Sequence, residues 1–351
     1  MQISNRVQSV NPSETLTITA RAKSMRHQGI DVVNFAAGEP DFDTPLAVKE
    51  AAIKAINDGF TKYTPTSGIP ELKEAIVKKF KEDNGIEYVP EEIVVSCGAK
   101  HSIFNVIQAL VDKGDQVIIP SPYWVSYTEM VKLAQGKSVI LETRQKDNFK
   151  INIEKLAKKI NSSTKLLILN APSNPAGVVY SREELQAIAG ICVEKQIYVL
   201  SDEIYEKILF DTMTFTSLAS LGSDIKNRAI TVNGVSKSFS MTGWRIGYFG
   251  GPKEIASAVN RLQDHSTSCP SSISQKAAVA ALGLGTSYFS DNRKKFEERR
   301  DFIVSYLDEK LKEFVSYIKP QGAFYIFINI ARTKLDSVVF AQRLLEESYV
   351  A

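Results

Sequence analysis

KLLILNAPSNPAGVVYSREELQAIAGICVEKQIYVLSD, residues 165–202, contains the pattern that decides the fold. The stretch begins with one apolar run, KLLILN, and ends with another, IYVLSD. Between them, residues 181–195 place apolar side chains at helical spacing, and Ser181 with Glu184 three residues later matches a capping box. Two nearly continuous apolar strands joined by a helix predict a parallel pair of strands covered by helices.

The same alternation of strands and helices continues through the middle of the chain, from about residue 93 to residue 265. We therefore expect a mainly parallel sheet with helices on both faces. The other predicted strands are EIVVS (92–96), QVIIP (116–120), AITVN (229–233) and RIGYFGG (245–251), and a further predicted helix is SIFNVIQALVD (102–112).

The pattern changes before residue 45 and after about residue 290. A long charged helical region at 290–318 leads to GAFYIFINI (322–330) and then to a predicted helix at 334–346. We expect the two ends of the chain to come together and form a smaller domain.

Composition excludes several classes of protein. A chain of 351 residues is too long for one simple core, which favours one large domain and a smaller one. A net charge of +3 gives no support to nucleic acid or an anionic membrane as a partner. No apolar run approaches the roughly 20 residues of a membrane-spanning helix. The first residues, MQISNRVQSV, lack the apolar core of a secretory signal.

The histidines and cysteines limit the kinds of site and the compartment that we expect. Three histidines and no HExxH motif do not favour a metal centre, so we expect none. Three separated cysteines without a CxxC motif favour buried thiols in a reducing compartment, which indicates the cytoplasm.

Polar residues follow four of the predicted strands. Ligands bind outside the carboxyl ends of strands in open α/β sheets, so these residues predict a binding site at one edge of the sheet. They are Gly98, Ala99 and Lys100 after the first strand, Asn174 after KLLILN, Asp202 with Tyr205 after IYVLSD, and Ser236 with Lys237 after AITVN.

Lys237, in SKSFSMTGWRIG (236–247), is the candidate nucleophile. A lysine amine must lose its proton to attack a carbonyl, and imine formation with a cofactor aldehyde meets that need. Ser236 and Arg245 can hold an anion nearby, because the planar guanidinium suits bidentate contact with phosphate. The alternative is a solvated loop whose charges keep the protein soluble.

Two further motifs each allow two interpretations. The small residues at 96–100 suit either a phosphate at a helix N-terminus or simply a tight turn. Asp202 ends a buried-looking strand, so its carboxylate either pairs with a protonated heterocyclic nitrogen or caps a following helix. On such a helix, Tyr205 would point to the same place. The absence of GxGxxG and GxxxxGK[ST] motifs removes the main support for dinucleotide and P-loop sites.

Eight motifs in order along the chain resemble one known family. They are AAGEPDFDTP (36–45), TKYTPTSGIPELKEAI (61–76), SCGAKHSIFN (96–105), SPYWVSY (121–127), NAPSNPAGVVY (170–180), SDEIYE (201–206), VSKSFSMTGWRIGY (235–248) and PQGAFYIF (320–327). Together they resemble the class I (fold-type-I) pyridoxal-phosphate-dependent aminotransferases, and within them the bacterial branch of aspartate and prephenate aminotransferases.

The resemblance implies an α/β fold with two domains. The large domain would have a mainly parallel seven-stranded sheet covered by helices, and a small α+β domain would be built from both chain ends. The implied bounds are 1–45 for an N-terminal arm and part of the small domain, 46–289 for the large cofactor-binding domain, and 290–351 for the small C-terminal domain. A homodimer with shared active sites is also implied.

The resemblance also implies pyridoxal 5′-phosphate (PLP) as the cofactor. Lys237 would bond covalently to PLP and move the proton during transfer, and Asp202 would keep the ring nitrogen protonated. The other implied cofactor contacts are Tyr205 and Asn174 at the phenolic oxygen of the ring, Trp124 stacked on the ring, Ser236, Arg245, Gly98 and Ala99 at the phosphate, and Tyr63 at the phosphate of the neighbouring subunit.

Substrate contacts follow from the same resemblance. They are implied for Gly38, Trp124 and Asn174, and for Lys100 and Thr15 near the distal carboxylate of aspartate. From the residues alone, each position also fits an ordinary role: Trp124 in a core or interface, Tyr63 and Lys100 at the surface, Asn174 and Gly38 in turns, and Thr15 as a helix cap.

The implied activity is that of an aspartate aminotransferase. Such an enzyme moves the amino group of L-aspartate to 2-oxoglutarate by a ping-pong cycle. The alternatives are a related PLP enzyme, such as a prephenate or aromatic aminotransferase or a β-lyase, and a PLP-binding homologue with impaired catalysis and a structural or regulatory role. Asn11 stands where prephenate-using relatives carry a basic residue, which favours aspartate.

Two departures from the family pattern are visible. Ser173 and Ala176 stand where the family usually has Asn and Thr beside Asn174, and we expect a small effect. The given sequence stops at Ala351, where relatives continue into a segment with the arginine that binds the substrate's α-carboxylate. We therefore expect a small domain shorter than that of the relatives.

Overall fold

The computed structural model of the chain describes residues 3–285 and 287–351. These residues form a seven-stranded sheet with helices packed on both faces. The strands are β1 (Ile93–Ser96), β2 (Gln116–Ser121), β3 (Lys137–Glu142), β4 (Thr164–Asn170), β5 (Tyr198–Asp202), β6 (Ala229–Gly234) and β7 (Gly247–Gly250). The α-helices are α1 (Asn5–Gln8), α2 (Glu14–His27), α3 (Leu46–Asn57), α4 (Pro70–Asn84), α5 (Ala99–Leu110), α6 (Ser126–Leu133), α7 (Ile153–Lys159), α8 (Arg182–Glu194), α9 (Ser223–Lys226), α10 (Lys253–Asp264), α11 (Ser272–Leu282), α12 (Ser287–Lys310) and α13 (Ser337–Ser348).

The sheet is mainly parallel, as the sequence predicts. Its strand order is β1-β7-β6-β5-β4-β2-β3, and only β7 is antiparallel to its neighbours, β1 and β6. β1 therefore runs in the same direction as β6. The carboxyl ends of β1, β4, β5 and β6 lie along one edge, which is where ligands bind in open α/β sheets.

Six strands lie within two residues of their predicted bounds, whereas the apolar pattern missed β3. β3 is an edge strand in which Leu141 is the one fully buried residue. A strand at the edge needs no continuous apolar run, because much of its surface remains accessible. The predicted seven-stranded sheet is therefore confirmed, although the apolar pattern located six of its strands.

The helix predicted over 181–195 is confirmed as α8, and its capping box is present. The backbone N–H of Glu184 donates to the hydroxyl of Ser181 at 3.2 Å, and the Glu184 carboxylate accepts from the N–H of Ser181 at 2.7 Å. Within the described residues, no helix is both long and apolar enough to cross a membrane.

The helix expected directly after Asp202 was wrong. The chain forms a turn there, in which the N–H of Ile204 donates to Oδ1 of Asp202 at 3.3 Å. The N–H of Glu206 donates to the carbonyl of Glu203 at 3.0 Å. The alternative role of Asp202 as a helix cap therefore does not apply.

Strand β1 illustrates why both faces of the sheet are covered. Val94 packs in the same apolar cluster as Ile103 of α5, whereas Val95 packs with Leu72 of α4 on the opposite face. All four residues of β1 are buried. Because successive side chains of a strand point to opposite faces, a strand covered on both sides needs an unbroken apolar run.

The two chain ends lie against each other. Val33 and Val350 form a parallel bridge, and the N–H of Ala351 donates to the carbonyl of Val33 at 2.9 Å. Val32 also shares a small buried cluster with Leu345 of α13. This contact agrees with the prediction that both ends contribute to a smaller α+β unit.

The segment around residues 38–42 is fixed by α12. Arg299 binds the carboxylate of Asp41 with two hydrogen bonds of 2.7 and 2.9 Å. The ring of Phe296 meets Phe42 edge-on at a centroid distance of 5.1 Å. These contacts hold the backbone of Gly38 near the carboxyl edge of the sheet.

Gly247 marks a close approach between β7 and the N-terminus of α5. A Cβ at Gly247 would lie 2.0 Å from the backbone nitrogen of Ala99, which cannot rotate away.

We expect Gly247→Ala to lower the free energy of unfolding by about 1–3 kcal/mol, measured by urea denaturation. Gly190→Ala is the matched control, because a Cβ at Gly190 inside α8 meets nothing within 4 Å. Equal stability of Gly247→Ala and the wild type would contradict this packing.

Candidate active site

The N-terminus of α5 and the guanidinium of Arg245 lie next to each other. Gly98 precedes the helix with φ 94°, a backbone conformation that glycine adopts readily. The Arg245 guanidinium lies across this turn and donates to the carbonyl of Cys97 at 3.2 Å and to that of Thr242 at 2.8 Å. A Cβ at Gly98 would lie 2.3 Å from Nη2 of Arg245. The N–H of Gly98 donates to the carbonyl of Ser96 at 2.7 Å. The first N–H groups of α5 and the guanidinium suit an anion such as phosphate.

Lys237 lies after β6 with its amine turned inward. Its Nζ donates to the carbonyl oxygen of Gly38 at 2.5 Å. Burial lowers the pKa of Lys237 to about 8; the positive charge of Arg245 adds to this effect, whereas Glu39 opposes it. A substantial fraction of the amine is therefore neutral near physiological pH, as a nucleophile or general base requires.

Asp202 is a buried carboxylate at the end of β5, with 4% of its surface exposed. The hydroxyl of Tyr127 donates to its Oδ2 at 2.6 Å, and the N–H of Ile204 donates to Oδ1. Burial raises the pKa of Asp202 to about 6, although these hydrogen bonds and the charge of Lys237 lower it. Both hydrogen-bond donors are neutral, so a protonated ring nitrogen would provide the missing opposite charge.

Tyr205 lies in the turn after β5 and is also buried. Its hydroxyl shares a hydrogen bond of 2.6 Å with the hydroxyl of Tyr325, and the side chain of Asn174 is a second partner. Burial raises the pKa of Tyr205 well above its ordinary value, so its hydroxyl keeps its proton and can donate a hydrogen bond. Tyr325 also approaches Gly38, where a Cβ would lie 2.3 Å from its hydroxyl oxygen.

Lys100 and Trp124 lie on the outer side of this arrangement. The Lys100 ammonium is 4.7 Å from the centre of the Trp124 ring. Burial and the nearby charge of Arg245 lower the pKa of Lys100. Lys100 and Arg245 also line an open cleft of about 700 Å³, together with Asn11 and Tyr123. The lining of the cleft also includes Glu14 and Glu129, of which Glu129 pairs with Lys132 at 2.8 Å.

Comparison with known proteins identifies the family. The family described as "Aminotransferase class I and II" matches residues 30–351. The chain belongs to the class I and II aminotransferases. Enzymes of this family depend on PLP, and the present chain is therefore a PLP-dependent aminotransferase.

Individual relatives agree with this assignment over nearly the whole chain. An aspartate aminotransferase from Bacillus sp. (strain YM-2) is 48% identical, covering 99% of this chain and 90% of that protein. A probable aspartate/prephenate aminotransferase from Rickettsia bellii is 49% identical with the same coverage. The solved structure of an aspartate aminotransferase from Thermus thermophilus with maleate superposes with a TM-score of 0.95 at 42% identity, covering 100% of this chain and 91% of that one.

The residues of this aminotransferase fit PLP on structural grounds. The glycine turn before α5 lets the Arg245 guanidinium lie against the backbone at the helix N-terminus, where a Cβ would block it. The buried carboxylate of Asp202 has neutral hydrogen-bond donors and would accept the N–H of a pyridinium ring. Lys237 presents an amine with a lowered pKa between these two regions.

Tyr63 and Thr15 are not brought against the other predicted residues. Tyr63 is 91% exposed. Thr15 lies exposed in the first turn of α2, and the cleft is lined by Ser13 and Glu14 instead. Thr15 is not a helix cap either, because the hydroxyl of Ser13 accepts from the N–H of Leu16. A contact of Tyr63 with a second subunit requires this kind of exposure.

Two further residues at the site were not predicted, Tyr127 and Tyr325. Tyr127 donates to Asp202 from α6, and Tyr325 contacts Tyr205 from the C-terminal part of the chain. Both lie inside motifs that the sequence displays, SPYWVSY and PQGAFYIF. The motifs indicated importance, but only the folded structure shows which atoms the two hydroxyls reach. Among the described residues, no group of three or more His, Cys, Asp or Glu could hold a metal ion.

The pKa of Lys237 predicts unusual reactivity in the protein without PLP. Ordinary lysines titrate near about 10.4, so an amine with a pKa of about 8 reacts at lower pH. We expect competitive acetylation followed by mass spectrometry to give Lys237 an apparent pKa near 8. Binding of PLP should protect Lys237 from acetylation. An apparent pKa equal to that of the exposed lysines would contradict the burial of the amine.

Proposed function

We propose that this aminotransferase transfers the amino group of L-aspartate to 2-oxoglutarate in a ping-pong cycle, giving oxaloacetate and L-glutamate. The observation that carries the proposal is the 48% identity to an aspartate aminotransferase over 99% of the chain. The ammonium of Lys100 at the cleft supports it, because both substrates of this reaction are dicarboxylates.

Lys237 carries the proton transfer in this proposal. When bound, PLP holds the amino group and takes up the negative charge that forms as the substrate's α-carbon loses its proton. Nζ of Lys237 removes that proton from the α-carbon of the amino acid, and in the second half-reaction it returns a proton to the α-carbon of the keto acid. A pKa near 8 suits both directions, because the base and its conjugate acid are both populated near neutral pH.

The remaining site residues hold the cofactor. Asp202 would stabilise a positive charge on the ring nitrogen, and Tyr205 and Asn174 would donate to the phenolic oxygen. Trp124 would pack on the ring, and Ser236, Arg245 and the backbone N–H groups at Gly98 and Ala99 would bind the phosphate. The N–H of Gly98, which donates to the carbonyl of Ser96 at 2.7 Å, would have to exchange that acceptor for the phosphate. Ser236 is buried directly beside Lys237, which supports its place at the cofactor.

Lys100 is proposed to bind the distal carboxylate of the substrate. Its ammonium is partly desolvated near Arg245, so a carboxylate in the cleft would stabilise it. Gly38, Trp124 and Asn174 are proposed to complete the substrate site. A role for Thr15 would require the first turn of α2 to move toward the cleft, which its neighbours Ser13 and Glu14 already line.

We also propose that two copies of the chain share their active sites. The exposed side chain of Tyr63 would reach the phosphate in the neighbouring subunit. The domain bounds proposed are 1–45 with 290–351 for the smaller unit and 46–289 for the larger one. A cytoplasmic location is proposed because the three cysteines are free thiols.

Prephenate is a second candidate amino acceptor. The observation that favours it is the 49% identity to a probable aspartate/prephenate aminotransferase. Asn11 lines the cleft, and its backbone N–H donates to Glu129 at 2.9 Å. A neutral side chain at this position provides no extra cation for a second carboxylate. Parallel assays with 2-oxoglutarate and prephenate as acceptors distinguish the two activities.

Replacement of Lys237 tests the catalytic proposal. We expect Lys237→Ala to lower the rate of oxaloacetate formation by at least about a thousandfold, since the proton acceptor is lost. Oxaloacetate is measured by coupling to malate dehydrogenase. The variant should retain its fold, as judged by circular dichroism. An undiminished steady-state rate in Lys237→Ala would refute the mechanism.

Replacement of Lys100 tests the substrate proposal. Lys100→Met keeps an unbranched side chain that can still pack on Trp124 but removes the charge. We expect kcat/KM for aspartate to fall about 10- to 100-fold, the size of one lost charge-assisted hydrogen bond. The slow reaction with alanine, which has no distal carboxylate, is the control and should change little. An equal loss with both amino acids would place Lys100 outside the distal carboxylate site.

A further inference from the structure

Two glutamates are buried behind the turn that carries Asp202 and Tyr205. Glu203 and Glu206 each follow one of these residues directly, and they are 1% and 4% exposed. A buried carboxylate without a partner is costly, so both groups require an explanation. Neither has a role in the reaction described above.

Glu206 is held by two groups that can only donate. Its Oε1 pairs with the ammonium of Lys79 on α4, which is buried as well. Its Oε2 accepts from Nδ2 of Asn84 at 2.6 Å. The Asn84 amide is itself fixed, because its Oδ1 accepts from Nζ of Lys79 at 2.5 Å. This geometry requires an ionised carboxylate at Glu206, with both oxygens as acceptors.

Glu203 has different surroundings. Its Oε1 lies 2.8 Å from the hydroxyls of Ser201 and Ser217, which can accept as well as donate. Its Oε2 accepts from Nδ2 of Asn84 over a longer distance of 3.3 Å. These neutral partners tolerate a protonated carboxyl, whose O–H can donate to one of the two hydroxyls.

The charges around the pair lead to the same assignment. Glu203 and Glu206 share one buried ammonium, that of Lys79. The carboxylate of Asp83 lies 4.0 Å from this ammonium but pairs more closely with Lys207, at 2.8 Å. Burial raises the pKa of Glu203 to about 8, and repulsion from Glu206 adds to this effect. The ionisable groups that face the pair are Lys79 and Asp83 from α4, Lys207 from the turn, Tyr88 before β1, and Tyr248 from β7.

We propose that Glu203, as a neutral acid, and Glu206, as a carboxylate paired with Lys79, are positioning residues that hold the 202–206 turn against α4. The network thereby orients Asp202 and Tyr205 toward the cofactor. This inference rests on the cofactor contacts proposed for those two residues. The two glutamates lie only three positions apart in one turn, but the proposal gives them different protonation states.

The same substitution at both positions tests the assignment. Glu203→Gln replaces a neutral acid by a neutral amide that can donate to Ser201 or Ser217, so little should change. Glu206→Gln turns an amide NH₂ toward either Lys79 or Asn84, which are its donors, and removes the close carboxylate partner of the ammonium, leaving only Asp83 at 4.0 Å. We expect PLP to bind the Glu206→Gln apoprotein at least about tenfold more weakly, and the Glu203→Gln apoprotein within about threefold of the wild type.

Cofactor affinity is measured by titrating each apoprotein with PLP while protein fluorescence is recorded. A temperature at which every variant is fully folded separates positioning from loss of stability. The double variant Lys79→Met with Glu206→Gln removes both charges and is the rescue control. It should restore much of the thermal stability that Glu206→Gln loses. If the double variant regains stability but not PLP affinity, the ionic pair positions the turn. If the double variant regains both, the ionic pair contributes to stability alone.

The pH dependence of unfolding provides a second readout without PLP. A carboxyl whose pKa is higher in the folded state than in the unfolded state contributes full stability at low pH and loses it as the pH rises through the folded pKa. The contribution of Glu203 to wild-type stability should therefore fall between the unfolded pKa of about 4.3 and the folded pKa of about 8. Asp202, whose pKa is raised to about 6, adds to the fall in the lower part of this range in the wild type and in both variants. Glu203→Gln should flatten this dependence, whereas Glu206→Gln should not.

The outcomes separate this inference from the proposed function. Equal effects of the two substitutions on PLP affinity, or an unchanged pH dependence in Glu203→Gln, would overturn the assignment. Transamination by the wild type would be unaffected by that result. Conversely, a wild type that binds PLP but does not use aspartate would refute the proposed function and leave this test intact.

Discussion

The structure depends on the burial of two ionisable groups, Lys237 and Asp202, at one edge of a parallel sheet. Burial lowers the pKa of the amine and raises that of the carboxyl, so each is closer to its neutral form than it would be in water. Such groups destabilise a folded chain unless a partner compensates them. A cofactor with an aldehyde and a basic ring nitrogen offers a partner to both.

The backbone around this pair is closely packed at its glycines. Gly98 and Gly247 allow β7, the N-terminus of α5 and the Arg245 guanidinium to meet at distances that a Cβ would prevent. Gly38 approaches both the Lys237 amine and the Tyr325 hydroxyl. The sheet edge therefore carries the proposed anion pocket, and the segment around Gly38, fixed by α12, lies against the Lys237 amine. Glycine loses more conformational entropy on folding than other residues, and these glycines lie where the ligand is proposed to bind.

Much of this arrangement could be predicted from the sequence, because apolar runs located six strands and polar residues marked their carboxyl ends. Lys237 and Asp202 were identified in this way. β3 was missed because an edge strand lacks a continuous apolar run. Of the two interpretations left open for Asp202, the helix cap was wrong, because residues 203–206 form a turn. The partners Tyr127 and Tyr325, and the contrast between Glu203 and Glu206, depend on atoms that meet only after folding.

The visible absorbance spectrum of the PLP-loaded protein, recorded before and after addition of L-aspartate, tests the central claim most directly. The account predicts that the band of the lysine-bound cofactor is replaced by that of the amine form, with release of oxaloacetate in an amount equal to the enzyme. 2-Oxoglutarate should then restore the original band. A spectrum that remains unchanged with aspartate, in a protein that has bound PLP through Lys237, would contradict the assignment of this chain as an aspartate aminotransferase.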